Sequence, residues 1–323
     1  KHKYFFIKDM TLFTNIKSFD KSFLLKLWLS LILYQLSVCP VSAQKDTMDI
    51  KDYILIINTY TESFPWSNRL ISTATNFVKD DPKLAVYTEH MNMIMIDNDS
   101  ILDQFKDSLF DRYGSHRPRM LLLLGNSSLI LKDDLRKMWG DIPMVLCAGK
   151  DYTGPEHYYL TKQPIPLSER VPLAELSQSC NLTYLYANLY IHENVEMMFR
   201  TLPRMKRFIY VGDERFVNQV NSQEIQEILR TKHPDVHYTF LSSRDIKKTN
   251  QLIDSLNFVD PRTTGILFSS WFHKRQFAGN MMLTMILPEI VSTVSPPIFA
   301  LNMIELNDKE SGMVGGYTYD QNH

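Results

Sequence analysis

Polar and aromatic residues stand directly after apolar runs at intervals along this chain, and their types suit recognition better than bond-making. Thr59, Tyr60 and Trp66 follow the run Tyr53-Ile54-Leu55-Ile56-Ile57, and Asn126 and Ser127 follow the run that ends at Leu124. Gly149 comes after Met144-Val145-Leu146-Cys147, and Asp213 and Phe216 after Phe208-Ile209-Tyr210-Val211. Ser269, Ser270 and Trp271 succeed Gly265-Ile266-Leu267-Phe268, and Asn302 succeeds Ile298-Phe299-Ala300-Leu301. Rings supply flat apolar contact while Asn, Ser, Thr and Asp direct hydrogen bonds, a combination that fits a small polar or aromatic solute. Each position also has a plainer use. A polar residue at a strand end serves equally as a helix cap, Trp66 could staple the first helix to its sheet, and Trp271 could belong to the core.

Bond-making constellations are missing from the same stretches. No G-x-G-x-x-G follows the first run, and the chain holds no Walker loop, no G-x-S-x-G elbow and no H-E-x-x-H among its nine histidines. Asp80-Asp81 and Asp133-Asp134 read as loop or helix-start acids, and His273 beside Arg275 as a solvated helix face. The expectation for this region is therefore no enzymatic activity, no cofactor and no metal.

The elements that position these residues follow from periodicity. The apolar runs are continuous, which fits strands covered on both faces, as in parallel sheets. Leu84-Ala85-Val86-Tyr87 and Tyr238-Thr239-Phe240-Leu241 add two more runs of this kind. Between them lie helical stripes. Leu70, Ile71, Ala74, Phe77 and Val78 share a face behind Pro65, a residue suited to a first helical turn. Ile101, Leu102, Phe105, Leu109, Phe110 and Tyr113 repeat the pattern up to Gly114, and Ile225, Ile228 and Leu229 form a shorter stripe before His233-Pro234. Alternating strand and helix predicts an α/β protein with two doubly wound parallel sheets, a two-lobed arrangement with flanking helices. In such sheets ligands sit beyond the carboxyl ends of the strands, so two facing lobes would place the residues above on both walls of one cleft.

The 323 residues suffice for two lobes, with 44% hydrophobic and 22% charged residues. The amino-terminal stretch has the form of an export signal. Lys17, Lys21 and Lys26 precede the apolar run from Leu27 to Leu33, and Val41-Ser42-Ala43 gives a small-x-small cleavage pattern before Gln44. An uncleaved anchor is the alternative, although the run is short of the roughly 20 apolar residues of a membrane span. Residues 1–43 hold six lysines and two aspartates, so the remainder carries −5 where the whole chain carries −1. A mildly acidic body without a basic stripe excludes nucleic acid as the expected partner. Beyond the leader, Cys147 and Cys180 match no zinc or redox spacing. Export would permit them to pair, whereas the apolar setting of Cys147 reads as a buried thiol.

The expected domains are a signal peptide over 1–43, an amino-terminal lobe over 44–180 and a carboxy-terminal lobe over 181–314. Residues 315–323 are expected to begin a return to the hinge, with the completion of the first lobe lying beyond His323. The stretch 151–180, with Gly154, Pro155, Pro164, Pro166 and Pro172, reads as an irregular crossover between the lobes.

Three motifs then stand in order. Asn181-Leu182-Thr183 is followed by Leu202-Pro203-Arg204-Met205-Lys206-Arg207-Phe208, then by Pro297-Ile298-Phe299-Ala300 with Gly312-Met313-Val314-Gly315-Gly316. This resembles the ABC-transporter substrate-binding-protein-like family, which has the periplasmic-binding-protein type I fold, and the similarity runs from about Asp52 to the end. Ile56-Ile57-Asn58-Thr59-Tyr60 with Trp66, Tyr87-Thr88-Glu89 and Ser269-Ser270-Trp271 are closer to the variant that serves as the extracytoplasmic sensor of bacterial membrane histidine kinases. Tyr184 departs from the family's pattern, where glycine is common after the N-x-T motif. The resemblance implies a periplasmic or extracytoplasmic domain that closes on a small-molecule ligand. Its partner would be a membrane-anchored signalling protein, or a membrane segment and kinase domain encoded downstream. The alternative is a free solute-binding subunit of an ABC transporter.

Overall fold

The computed structural model describes residues 52–62, 64–271, 287–301 and 312–318. The expected leader and Asn302 lie outside them. The first sheet is built from strands β1 (Tyr53–Asn58), β2 (Ala85–His90), β3 (Met120–Leu124), β4 (Met144–Ala148) and β7 (Leu182–Tyr186). They pair in the order β2-β1-β3-β4-β7, every neighbour parallel. The second sheet holds β8 (Arg207–Gly212), β9 (His237–Ser242), β10 (Thr264–Phe268) and β11 (Ile298–Ala300), in the order β9-β8-β10-β11 and again parallel. Gly315 bridges Phe299 on the free side of β11, with the Ala300 amide donating to the Gly315 carbonyl at 2.8 Å. Both sheets therefore run second-first-third-fourth-fifth, the fifth place of the second sheet being taken by this short segment.

Helices link the strands. In the first lobe these are α1 (Pro65–Val78), α2 (Asp99–Tyr113) and α3 (Lys132–Trp139), and the crossover adds α4 (Glu156–Thr161) and α5 (Leu173–Ser179). The second lobe is wrapped by α6 (Ile191–Thr201), α7 (Phe216–Lys232), α8 (Thr249–Asn257) and α9 (Leu287–Thr293). Pro65 occupies the first turn of α1 as expected, and Asn98 caps α2 by accepting from the Ile101 amide at 3.1 Å. The apolar stripe of α1 is only partly used. Leu70, Ile71 and Ala74 pack on Ile56, Leu124 and Cys147, while Phe77 is 90% exposed. In the second lobe β10 is buried along its whole length between two clusters, one on each face of the sheet.

Two boundaries differ from the expectation. Strand β7 belongs to the first sheet, paired with β4 from Met144↔Leu182 to Ala148↔Tyr186, so the lobe boundary at residue 181 falls one strand too early. The second lobe takes over at α6, whose Ile191, Val195 and Met198 enter the second core. The strand was obscured because it lies at a sheet edge. Leu182 is buried but Thr183, Leu185 and Tyr186 are exposed, so no continuous apolar run marks it. The segment around Gly315 also stays with the second lobe. The Tyr317 amide donates to Asn194 Oδ1 at 2.8 Å, and Asn194 Nδ2 donates to the Tyr317 carbonyl at 2.9 Å, which ties it to α6 beside the crossover.

Residues 151–180 are more ordered than their proline content suggested. A two-stranded antiparallel ribbon, β5 (Tyr152–Thr153) with β6 (Val171–Pro172), brackets α4, and Tyr159 on that helix is fully buried. Elements of two to seven residues contain too few periods to be read from sequence.

Cys147 and Cys180 are both free thiols. Burial beneath α1 pushes the Cys147 thiol up to about 11. At pH 8 it is therefore protonated and shielded, and thiolate is the reactive species. Alkylation at that pH should modify the half-exposed Cys180 well before Cys147, read by mass mapping of the labelled peptides. Cys147 labelling first would contradict this packing.

Candidate functional site

Among the described residues, a cleft with about 760 Å³ of free space, its open mouth included, lies beyond the carboxyl ends of the first sheet. The reversal of strand order between β1 and β3 opens the sheet at this point, which is where doubly wound folds bind ligands. Thr59, Tyr60, Thr61 and Phe64 enter after β1, Asn92 to Ile94 after β2, Gly125 to Ser127 after β3, and Gly149 and Lys150 after β4. Tyr159 and Lys162 come from α4 and its end, and the second lobe contributes Arg215, Phe216 and Val217 at the start of α7.

The lobes meet across this cleft. The Tyr159 and Phe216 rings stand 4.6 Å apart at 45°, and Lys150 Nζ donates to Glu224 Oε2 on α7 at 2.8 Å. Arg215 lies over the Phe64 ring at 4.7 Å, and Phe64 in turn stacks on Tyr60 at 4.5 Å. The Lys162 ammonium donates to the carbonyls of Ile96 and Leu160. The wall is thus aromatic and cationic, and among the described residues no carboxylate lines it.

Close approach of chain to chain explains Gly125. Its φ is +94°, and a side-chain carbon there would stand 2.4 Å from Thr59 Oγ1 and 3.3 Å from the Tyr60 ring. Thr59 Oγ1 is already committed, donating to the Leu124 carbonyl at 2.7 Å. Gly125→Ala should cost about 1–3 kcal/mol of stability from backbone strain and displace Tyr60 from the cleft. Urea unfolding of the two proteins checks the first part, and unchanged stability would count against this geometry.

Six of the residues singled out in the sequence line the cleft: Thr59, Tyr60, Asn126, Ser127, Gly149 and Phe216. Asn126 does so as a bracket. Its Nδ2 donates to the Lys150 and Tyr152 carbonyls at 2.8 and 2.9 Å, and its Oδ1 accepts from the Gly149 and Lys150 amides at 2.9 and 3.2 Å. Two donors and two acceptor directions are all an asparagine side chain has, so Asn126 shapes the loop after β4.

The remaining described candidates lie behind the wall. Trp66 packs with Leu70 on the cluster of Ile56, Leu124 and Cys147, edge-on to Tyr60 at 5.4 Å, which is the stapling use. Trp271, only 1% exposed, belongs to the second lobe's core with Ile209, Val211 and Ile298. Asp213, Ser269 and Ser270 are buried in one polar network. Asp213 receives Arg215 Nε at 2.8 Å and Nη2 at 2.7 Å in a two-pronged pair, and the Arg215 amide at 3.1 Å. Ser270 Oγ donates to Asp213 Oδ2 and accepts from Arg215 Nη2, both at 2.8 Å. Asn218 Nδ2 donates to Asp213 Oδ1 at 2.8 Å, while Asn218 Oδ1 accepts from Ser269 Oγ and Tyr210 Oη at 2.8 Å each. Burial opposes the charge on Asp213, but the adjacent Arg215 guanidinium outweighs it and holds the carboxyl below its usual range. The network's product is a fixed Arg215.

Arg215 was missed because no spacing rule marks a lone arginine. The one available signal was its place three residues after Gly212, where the strand ends and the helix begins. Tyr159 and Lys162 were missed with their short helix, and Phe64 because it stands in the loop between β1 and α1, outside any apolar run.

No protein-family model matches the chain, and no curated protein matches it in sequence. Solved structures match it in fold. An ABC sugar transporter subunit from Rhodobacter sphaeroides 2.4.1 aligns at 13% identity over 80% of this chain and 83% of that one, with a TM-score of 0.50. A carbohydrate transporter protein from Acidothermus cellulolyticus 11B, solved with myo-inositol, aligns at 9% identity over 81% of this chain and 78% of that one, with a TM-score of 0.49. The chain has the two-lobed α/β periplasmic-binding-protein-like fold, with parallel sheets and flanking helices.

Proposed function

We propose that this chain is an extracytoplasmic domain that closes its two lobes on a small molecule, and that a membrane-bound signalling partner of the two-component histidine-kinase type reads the closure. The carrying observation is the cleft, walled by strand ends of the first lobe and closed by the start of α7 from the second. Such a site binds by hinge motion, and a solute preferring the closed form shifts the population toward it. The basic leader ending at Ala43 supports export, and Ile56 to Tyr60 with Ser269-Ser270-Trp271 supports the sensor variant over a transporter subunit. The cleft's groups fit binding: its described lining is rich in aromatic rings and hydrogen-bond donors, and Asp213 is spent on Arg215.

Screening sugars, amino acids and organic acids by thermal shift on the full chain should find a solute that raises the melting temperature saturably. The same solute should change intrinsic fluorescence through Trp66, whose ring touches Tyr60 on the cleft wall. A solute that binds without altering small-angle scattering would remove the closure half of the proposal. For the partner, a downstream membrane span with kinase motifs is the expected finding. Permease genes beside a solitary binding-protein gene would replace the sensor reading with that of a transporter subunit.

A further inference from the structure

The lining of the cleft is unbalanced in charge. Lys150, Lys162 and Arg215 face it, and among the described residues no aspartate or glutamate does. Arg215 is paired with buried Asp213, and Lys150 with Glu224 on α7. The tethering of Arg215 is one-sided. Nε and Nη2 are tied to Asp213 and Ser270, and the plane lies over Phe64. Neither N–H of Nη1 has an acceptor among the described residues. The same guanidinium sits at the start of the 17-residue helix α7, whose first turn carries partial positive charge. A donor held this rigidly loses little freedom when it binds, the condition under which one hydrogen bond contributes most to affinity and selectivity.

From this geometry we infer that the cleft selects a small organic acid, and that Arg215 Nη1 is the donor that recognises its carboxylate. The inference rests on the small-molecule-binding reading given above and narrows its ligand class. Because Arg215 and Lys150 already have one carboxylate each, neither offers a full uncompensated charge, and a carboxylate suits them better than a phosphate dianion. The rings of Tyr60, Tyr159 and Phe216 supply an apolar wall for the body of the acid. Asp213, Ser270 and Asn218 act through Arg215 as positioning residues and do not touch the ligand.

The test uses matched pairs in which the carboxylate is replaced by a neutral group: D-galacturonate with D-galactose, 4-hydroxybenzoate with 4-hydroxybenzamide, and D-galactose 6-phosphate as the dianion. Binding to the full chain is measured by calorimetry. Acids should bind and their neutral partners should not. Asp213→Asn combined with Arg215→Gln keeps the buried site neutral, so the fold has no stranded charge. That double variant should lose about 10- to 100-fold in affinity for the acid, the usual effect of deleting one charge-assisted hydrogen bond. Circular dichroism confirms that it remains folded. Galactose or the benzamide binding as well as its acid, or an acid holding its affinity in the folded double variant, would overturn the inference while leaving the binding reading intact. Preference for the phosphate dianion would also overturn it. Failure of both acids and neutral compounds to bind would overturn the inference and the reading together.

Discussion

Asp213→Ala should destabilise the protein by about 3–5 kcal/mol, the usual consequence of removing one partner of a buried ion pair. The carboxylate is fully buried and receives bonds from Arg215, Asn218 and Ser270. Alanine would leave the guanidinium without its counter-ion, held by Ser270 and the stack on Phe64. The same pair sets an acid limit. Because the folded-state carboxyl titrates below its unfolded value near 3.9, its contribution is fully present above about pH 4. It is lost as pH falls through the depressed folded-state value. Denaturant titrations at pH 7 and pH 3 should show the gap between wild type and Asp213→Ala narrowing at the lower pH. A constant gap would mean that the carboxylate's charge is not what stabilises the fold.

Trp271→Ala should be comparably damaging, at about 3–5 kcal/mol, for a different reason. The ring is 1% exposed and packs among Ile209, Val211, Ile253, Phe268 and Ile298, so truncation opens a cavity that surrounding side chains fill only in part. Circular dichroism melts should show the loss, and addition of solute should not restore the wild-type melting temperature. Were Trp271 part of the binding surface, the variant would keep its stability and lose only affinity. A variant as stable as wild type would contradict the placement of this ring in the core.

The strand-helix rhythm of the fold was legible because its central strands are buried on both faces. β1, β3, β8 and β10 are continuous apolar runs, and their ends are sharp. β7 escaped because it lies at a sheet edge, where of its five residues only Leu182 is buried. The site was half legible. Sequence placed Asp213, Ser269 and Ser270 correctly at strand ends, but whether a polar side chain turns toward the cleft or back toward the helix depends on its partners. Here the partners are Arg215 and Asn218, which supply enough donors and acceptors to hold all three inside. Trp66 and Trp271 illustrate the same ambiguity for aromatics, since a large ring is as useful filling a core as lining a wall.

The unequal shares of the two lobes in the cleft carry a kinetic consequence. Among the described residues, loops from four strands of the first lobe form most of the wall, and the second lobe contributes Arg215 to Val217. On the proposed reading, a solute first meets the larger surface while the lobes are apart, and the second lobe then comes down over it. Substitutions at Thr59, Tyr60 or Ser127 should therefore act on the rate of capture. Substitutions at Phe216, which presses on Tyr159 from the opposite lobe, should leave capture nearly unchanged and shorten the residence time of the complex, because release requires that contact to break first.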